Sequence, residues 1–196
     1  WLNDAIIDMY LQMLVNHQRA GEGFKPNKRD TKAPAPSVHS FSPMWFKTIQ
    51  SNANSIAGWA KAVNMTHGRI LNSKMIFLPL CDMSHWRLIV IKPQERTIEY
   101  FDSLGARGPT YIRAAHTFLR VVLENRYVAS EWTDVHEQRS SRQVNGKDCG
   151  VFTVLNALVQ LRGEEPNRII SDDGMEDARL RITVSLLAGK LTGEMD

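Results

Sequence analysis

The segment 143–150, Gln-Val-Asn-Gly-Lys-Asp-Cys-Gly, leads directly into an apolar stretch at residues 151–161. Turn residues followed by closely spaced apolar residues predict a loop that delivers Cys149 to the first turn of a buried helix. The free backbone N–H groups and the positive dipole end of a helix N-terminus favour an anionic sulfur, and the thiolate is the nucleophilic form of cysteine. We therefore interpret Cys149 as a nucleophile, although a single cysteine is more often a buried structural residue.

Three short apolar runs upstream predict strands at residues 75–80, 86–91 and 97–101, and turn residues at 92–96 make the last two a hairpin. If the turn is centred between Pro93 and Gln94, paired residue numbers sum to 187, and His85 lies directly opposite Asp102. Cross-strand partners have Cβ atoms roughly 4.5–5.5 Å apart. Asp102 can then orient the imidazole while the other ring nitrogen takes the thiol proton.

Gln143 lies six residues before Cys149, on the loop that carries the cysteine. Its side-chain amide and the Cys149 backbone N–H could donate two hydrogen bonds to the oxyanion of a tetrahedral intermediate. A nucleophile, a base, an orienting carboxylate and an oxyanion donor together are hard to obtain from packing requirements alone, so the combined pattern favours catalysis.

These residues resemble the Ulp/SENP cysteine proteases, which act on SUMO and related ubiquitin-like modifiers. The resemblance rests on the order His, Asp, Gln, Cys, on the pair His85-Trp86, on segment 143–150 and on the opening Trp-Leu-Asn-Asp. The matching motifs run from residue 1 to residue 150. Two features depart from the family: no proline lies within 139–142, and the chain begins at Trp1, so we expect a truncated N-terminal boundary.

The resemblance implies one role for each matching residue. Cys149 would be the nucleophile, His85 the general base and then acid, Asp102 the orienting carboxylate and Gln143 the oxyanion-hole donor. It also implies that Trp86 and Trp1 roof a narrow tunnel for the modifier's Gly-Gly tail, whereas tryptophans outside such a motif are usually core residues. Asp148 is expected to cap the helix that follows it.

With 196 residues and 43% hydrophobic content, the chain suits one domain over residues 1–196. The expected fold is α+β with a papain-like core: a small, mostly antiparallel sheet flanked by helices, and the nucleophile on a central helix. Further periodic segments predict helices at 4–15, capped by Asn3, and at 56–63, 111–126 and 175–187, with Arg179 and Arg181 outward. Residues 131–136 predict a strand, and 21–43 and 163–173 predict loops.

Several classes of function are disfavoured by composition. No apolar stretch approaches the roughly 20 residues of a membrane span, and lysines and arginines are scattered, which argues against nucleic-acid binding. The histidines and cysteines lack metal-binding spacing, so we expect neither metal nor cofactor. We expect a monomer. The two cysteines do not make a disulfide framework, which fits a reducing compartment inside the cell, in the nucleus or cytoplasm or reached by delivery as an effector. Cys81 is expected to be a buried hydrophobe, with pairing to Cys149 under oxidation as the alternative.

The favoured function is an isopeptidase or endopeptidase that cleaves after the terminal Gly-Gly of a ubiquitin-like modifier, SUMO first, through a thioester. A protease for NEDD8 or ubiquitin is the alternative within the family. An acetyltransferase on a related scaffold is a second alternative, although such relatives typically use Glu as the acid and lack the tryptophan pair. An inactive modifier-binding module is the third, and the filled catalytic positions argue against it.

Overall fold

A five-stranded mixed sheet is the centre of the computed structural model, which describes residues 1–24 and 33–192. The two long central pairings are antiparallel, and a short parallel strand is added at each edge. The strands, in spatial as well as chain order, are β1 (Val38–Ser40), β2 (Met75–Asp82), β3 (His85–Lys92), β4 (Thr97–Phe101) and β5 (Thr133–Val135). The expected α+β class is confirmed.

Helices cover both faces of this sheet because side chains of successive strand residues point to opposite sides. On one face, Phe77 and Leu88 pack in a core with the first, fifth and seventh helices; on the other, Ile76 and Ile89 pack with the second, third and fourth. The helices are α1 (Asp4–Gly21), α2 (Trp45–Asn52), α3 (Ser55–Ala62), α4 (Pro109–Leu123), α5 (Cys149–Arg162), α6 (Pro166–Ile169) and α7 (Met175–Ala188).

Local sequence signals explain the ends of the two helices nearest the site. The Asn3 side chain caps α1 by accepting a 2.9 Å hydrogen bond from the Ile6 N–H, as expected. Helix α5 begins at Cys149 and ends before Gly163, whose φ of 70° is the left-handed conformation that glycine adopts freely. The α5 helix lies against β3 with nearly all of its surface buried, which fits its continuous apolar sequence.

The predicted hairpin register is wrong, because the turn is centred one residue later in the chain than predicted. Lys92 pairs with Thr97 and Leu88 with Phe101, so paired numbers sum to 189 rather than 187. The turn is centred between Gln94 and Glu95 because four residues form the loop and the last of them, Arg96, takes a left-handed φ of 56°. In this register the position opposite Asp102, just past the end of β4, is that of Arg87.

Residues 21–43 are not only loop, because β1 lies within them and pairs in parallel with β2. Residues 25–32 of the same predicted loop lie outside the described residues. The predicted loop 163–173 also contains the short helix α6. Short strands and single helical turns depend on neighbours distant in sequence, so periodicity does not reveal them. None of the described helices is long and apolar enough to cross a membrane.

Candidate active site

Cys149 is the first residue of α5, and it is buried in contact with His85 and Trp86, the first two residues of β3. Burial by itself raises the pKa of the Cys149 thiol. Hydrogen bonds with the His85 ring and from the backbone N–H groups of Trp86 and Gly150 outweigh burial, and the pKa lies below the ordinary cysteine value. The sequence prediction placed Cys149 at a helix start, and the structure has it there.

His85 and Asp102 are hydrogen-bonded despite the different register. His85 Nε2 lies 2.7 Å from Asp102 Oδ1, and the carboxylate is only 1% exposed. A shift of two residue numbers keeps Asp102 on the same side of the hairpin, so it approaches His85 as a diagonal neighbour. With Nε2 engaged by Asp102, the ring nitrogen Nδ1 is the one left for the thiol.

The ionisation of the pair follows from these contacts. Burial lowers the pKa of His85, but hydrogen bonds with Asp102 and Cys149 outweigh it and raise the value to about 9. Burial raises the pKa of Asp102, but hydrogen bonds from His85, Tyr100 and the Leu104 N–H bring it down to about 2. The lowered thiol pKa and the raised imidazole pKa both favour the thiolate–imidazolium pair over the neutral pair.

The Asp102 carboxylate has three further partners that the sequence did not indicate. Its Oδ1 also accepts from the Leu104 N–H at 2.8 Å, and its Oδ2 accepts from Tyr100 Oη at 2.6 Å and from Arg87 Nε at 3.3 Å. Burial and the bond to Asp102 raise the pKa of Tyr100 above its usual range, so this phenol stays a donor. Arg87 lies two residues after His85, and Tyr100 lies two residues before Asp102. This spacing along each strand is the only sequence signal that points to them.

Gln143 lies beside the Asp102 loop. Its backbone N–H donates to the Ser103 carbonyl at 2.9 Å, and its side-chain oxygen accepts from Ser103 Oγ. Its amide nitrogen donates to the Asn145 carbonyl. A primary amide carries two N–H groups, so this bond engages one of them.

Asp148 precedes α5, but its side chain makes no capping hydrogen bond, contrary to the prediction. Its carboxylate instead accepts from Asn145 Nδ2 at 2.7 Å and from Arg179 Nε at 3.0 Å. The pKa of Asp148 is lowered because these bonds outweigh burial. Arg179 was expected to point outward, yet it reaches from α7 to the loop that carries the cysteine.

Trp86 and Trp1 differ in exposure but line one cavity of about 490 Å³. Trp86 is 5% exposed and donates from Nε1 to the Leu2 carbonyl at 3.1 Å, whereas Trp1 is 71% exposed. Cys81 lines the same cavity and is only partly buried, so its prediction as a buried hydrophobe is wrong. Cys81 and Cys149 are both free thiols in the structure.

Gly150 allows the beginning of α1 to approach α5 closely. A Cβ at this position would lie 3.1 Å from Leu2 Cβ and 3.2 Å from Ile7 Cδ1. The same approach brings the opening motif beside the cysteine. Across the described ranges, no group of three His, Cys, Asp or Glu side chains is arranged to hold a metal ion.

Comparison with known proteins adds family membership to this geometry. The sequence is 27% identical over 160 residues to human sentrin-specific protease 2, covering 78% of this chain and 24% of that protein. It is 28% identical over 197 residues to human sentrin-specific protease 3, covering 98% of this chain and 30% of that protein. The chain thus spans about a quarter to a third of the length of these relatives.

The fold agrees with a solved structure, the Ulp1-like SUMO protease catalytic domain of Chaetomium thermophilum. The two share a TM-score of 0.87 and 29% sequence identity, over 100% of this chain and 75% of that one. Residues 1–188 match the model of the Ulp1 protease family, C-terminal catalytic domain. The chain therefore belongs to the Ulp1 protease family.

Proposed function

We propose that residues 1–196 form one catalytic domain of a cysteine protease that cleaves after the terminal Gly-Gly of a ubiquitin-like modifier, with SUMO the preferred one. The observation that carries the proposal is the buried Cys149, His85 and Asp102 constellation, in which the thiol pKa is lowered and the imidazole pKa raised. The relatives support SUMO because their names describe sentrin-specific and SUMO proteases.

In the proposed reaction, the Cys149 thiolate attacks the carbonyl carbon of the terminal glycine. The His85 imidazolium then gives its proton to the departing amine, leaving a thioester and a neutral imidazole. Water attacks the thioester while His85 takes one of its protons, and collapse of the tetrahedral intermediate expels the Cys149 thiolate. The modifier leaves as a carboxylic acid that ionises to the carboxylate in solution, and the thiolate–imidazolium pair is restored. Asp102 keeps Nε2 protonated throughout, so that Nδ1 handles the transferred proton.

The negative oxygen of each tetrahedral intermediate needs hydrogen-bond donors. We assign this role to the Cys149 backbone N–H and to the Gln143 amide. Anchoring of Gln143 by Ser103 supports the assignment, because a donor fixed before reaction costs no reorganisation when charge develops.

We assign Trp86 and Trp1 to the channel for the Gly-Gly tail. Their shared cavity supports this role, and the exposed Trp1 indole can close over a bound tail. Glycines are required physically because a channel bounded by indoles admits backbone but little side chain. An intracellular site of action, in the nucleus or cytoplasm, is part of the proposal because the two cysteines are free.

The test compares three modifiers that carry a C-terminal electrophile: SUMO, NEDD8 and ubiquitin. We expect SUMO to label the protein fastest, with the adduct on Cys149. Cys149→Ala should abolish labelling, whereas Cys81→Ala should still be labelled, because the adduct forms on Cys149. Faster labelling by NEDD8 or ubiquitin would reassign the modifier. Absence of labelling by all three would favour the inactive binding module, which binding measurements on the same modifiers would detect.

A further inference from the structure

Arg87 occupies a position next to the catalytic pair that the proposed mechanism does not use. It lies in β3, two residues after His85, and its side chain is only 13% exposed. The guanidinium reaches three groups: Nε lies 3.3 Å from Asp102 Oδ2, and Nη1 donates to the carbonyls of Asp82 at 2.9 Å and His85 at 3.0 Å. One side chain thus joins the end of β2, the start of β3 and the orienting carboxylate.

Two tyrosines hold this guanidinium in place. Its central carbon lies 4.9 Å from the centroid of the Tyr111 ring, close enough for a cation–π contact. Tyr111 Oη donates to Asp82 Oδ2 at 2.9 Å, and the Tyr111 ring stacks on Tyr100, whose hydroxyl donates to Asp102. The planar fork of arginine matches several acceptors in fixed directions, which a lysine ammonium cannot do.

We infer that Arg87 is a positioning residue, which fixes the direction of the His85–Asp102 hydrogen bond and shares the charge of the Asp102 carboxylate with the imidazole. His85 starts β3 directly after a turn whose residues Met83 and Ser84 both take positive φ. A strand end beside such a turn needs an anchor, and the bonds of Arg87 to the carbonyls on either side supply one. The inference rests on the proposed function only for its effect on turnover.

The second role of Arg87 is electrostatic. Asp102 attracts the imidazolium proton strongly, and a cation on the other carboxylate oxygen weakens that attraction. The charge of Arg87 accordingly lowers the pKa of His85, against the rise that Asp102 and Cys149 cause. The other ionisable groups around this network are Asp82 and Cys81 on β2, Tyr100 on β4, Tyr111 on α4 and Cys149 on α5. Arg87 is the cation hydrogen-bonded to Asp102. A lower pKa makes the His85 imidazolium a better acid toward the leaving amine.

The experiment compares Arg87→Met, which removes both the positive charge and the planar set of N–H donors, with Arg87→Lys, which keeps only the charge. Arg96→Met is the matched control, because Arg96 also pairs with a carboxylate, Glu131 at 3.5 Å, and lies over a ring, Trp132 at 5.5 Å, away from the site. The measurements are the His85 titration by NMR, assigned with His85→Gln, and the kcat and KM of SUMO-precursor cleavage.

We expect Arg87→Met to raise the His85 titration midpoint by roughly half a pH unit or more, because a nearby positive charge is lost. Its kcat should fall roughly tenfold or more from misorientation of the base, with a smaller change in KM. Arg87→Lys should keep the midpoint close to that of the native protein and still lose kcat. Arg96→Met should change neither measurement.

A folded Arg87→Met protein with native midpoint and kcat overturns the inference. If Arg87→Met does not fold, Arg87→Lys decides, because native kcat in that variant excludes a positioning role for the fork. The titration requires no substrate. A native protein that cleaves nothing would therefore contradict the proposed function and leave the electrostatic half of this inference open to measurement by NMR.

Discussion

The reactivity of single groups follows from how the structure distributes charge among three side chains. Cys149 is acidified by its hydrogen bonds, and His85 is made more basic by Asp102. Each shift favours the charged form of one partner because the other partner is charged, so the two titrations belong to the pair. In the proposed mechanism the active form is the thiolate with the imidazolium, which exists between the two transitions.

This distribution predicts a bell-shaped pH dependence of kcat/KM. Activity should rise with pH as Cys149 loses its proton, below the usual range of a cysteine thiol. It should fall as His85 loses its proton near pH 9, because the leaving amine then has no acid. The pH profile measures both limbs, and iodoacetamide alkylation of Cys149 should show the rising limb alone. A rising limb at or above the ordinary cysteine pKa, about 8.5, would contradict the ion pair.

A second prediction concerns the imidazole tautomer. In Asp102→Asn, an amide N–H that donates to Nε2 places the ring proton on Nδ1. A protonated Nδ1 cannot accept the thiol proton. We expect kcat to fall by several orders of magnitude, up to the loss of about 10⁴-fold that the same substitution causes in a serine-protease triad. Steady-state kinetics on the folded variant give the measurement.

Asp134→Asn is the matched control for that substitution. Asp134 also accepts from a histidine, His116 Nε2 at 2.8 Å, but does so between α4 and β5. Its replacement should leave kcat at the native level. Equal losses in the two variants would show that the effect on Asp102 is one of stability and not of tautomer.

The sequence correctly predicted that Cys149 begins a helix, because that motif carries a strong local constraint. It missed Arg87 and Arg179 because their partners come from other segments, and long basic side chains on a predicted strand or helix are usually solvated. It also misjudged Cys81, whose exposure depends on the cavity between β2 and the beginning of α1. Contacts of this kind become visible only once the elements are placed together.

At the scale of elements, Arg139 holds the start of the loop before Cys149, whereas Arg179 contacts its end through Asp148. Arg139 makes a two-bond pair with Glu99 of β4 and a second pair with Glu165 before α6, at 2.8 and 2.9 Å. Glu99 is only 2% exposed, whereas Glu165 is partly exposed. The charge of Glu99 therefore depends on Arg139 for compensation, and the pair fixes the path of the loop toward Gln143.

We predict that Arg139→Met lowers the free energy of unfolding by about 3–5 kcal/mol, because it leaves a buried carboxylate unpaired. The double variant Arg139→Met/Glu99→Leu should recover most of that loss, since a buried ion pair can be replaced by apolar packing. Urea denaturation measures both. Lys74→Met, which breaks the exposed pair with Glu22 at 3.3 Å, is the control and should cost at most about 1 kcal/mol.

A loss equal to that of Lys74→Met would mean that the Glu99 pair contributes no more than a surface contact. Failure of the double variant to recover would assign the loss to the geometry of the loop instead of the buried charge.

The hairpin shows why element positions are easier to predict than their register. All three strand segments were found from apolar runs, but register depends on where the turn is centred, and the five residues 92–96 allow more than one centre. The centre of the turn depends on the left-handed φ of Arg96, and arginine has no preference that would predict that conformation. The predicted His85–Asp102 contact survived because an error of two numbers preserves the side of the sheet.

At the scale of the whole molecule, the site lies where the beginnings of α1, β3 and α5 converge. Trp86 links them, since it packs in the core shared by α1 and α5 and donates to the Leu2 carbonyl. This buried position is compatible with a core role, and the cavity on its other side is compatible with a role over the substrate tail.

A double-mutant cycle separates these roles. We predict that Trp86→Ala lowers kcat/KM for a Gly-Gly tail by roughly a hundredfold, because the reacting carbonyl is no longer held in place. It should lose much less for a tail with alanine at the penultimate position, since the ring that rejects the methyl group is gone. The coupling should reach about 1 kcal/mol or more.

The coupling is a ratio of rates for two tails on the same enzyme, so a lower folded fraction cancels. Trp132→Ala provides the control, because Trp132 is 8% exposed in the core on the other face of the sheet. Its effects on the two tails should be equal. Equal effects in Trp86→Ala as well would place Trp86 in the core alone.

The hydrogen bond between His85 and Asp102 joins residues only 17 apart, whereas Cys149, the nucleophile of the proposed reaction, lies on a helix that follows much later in the chain. During synthesis, which proceeds from the N-terminus, the hairpin can form before α5 has been made. Until α5 docks, Cys149 lacks the ring and the backbone N–H groups that acidify it, and it remains an ordinary thiol. An unfinished or misassembled copy therefore carries no unusually reactive thiol, because the contacts that lower the Cys149 pKa exist only in the completed fold.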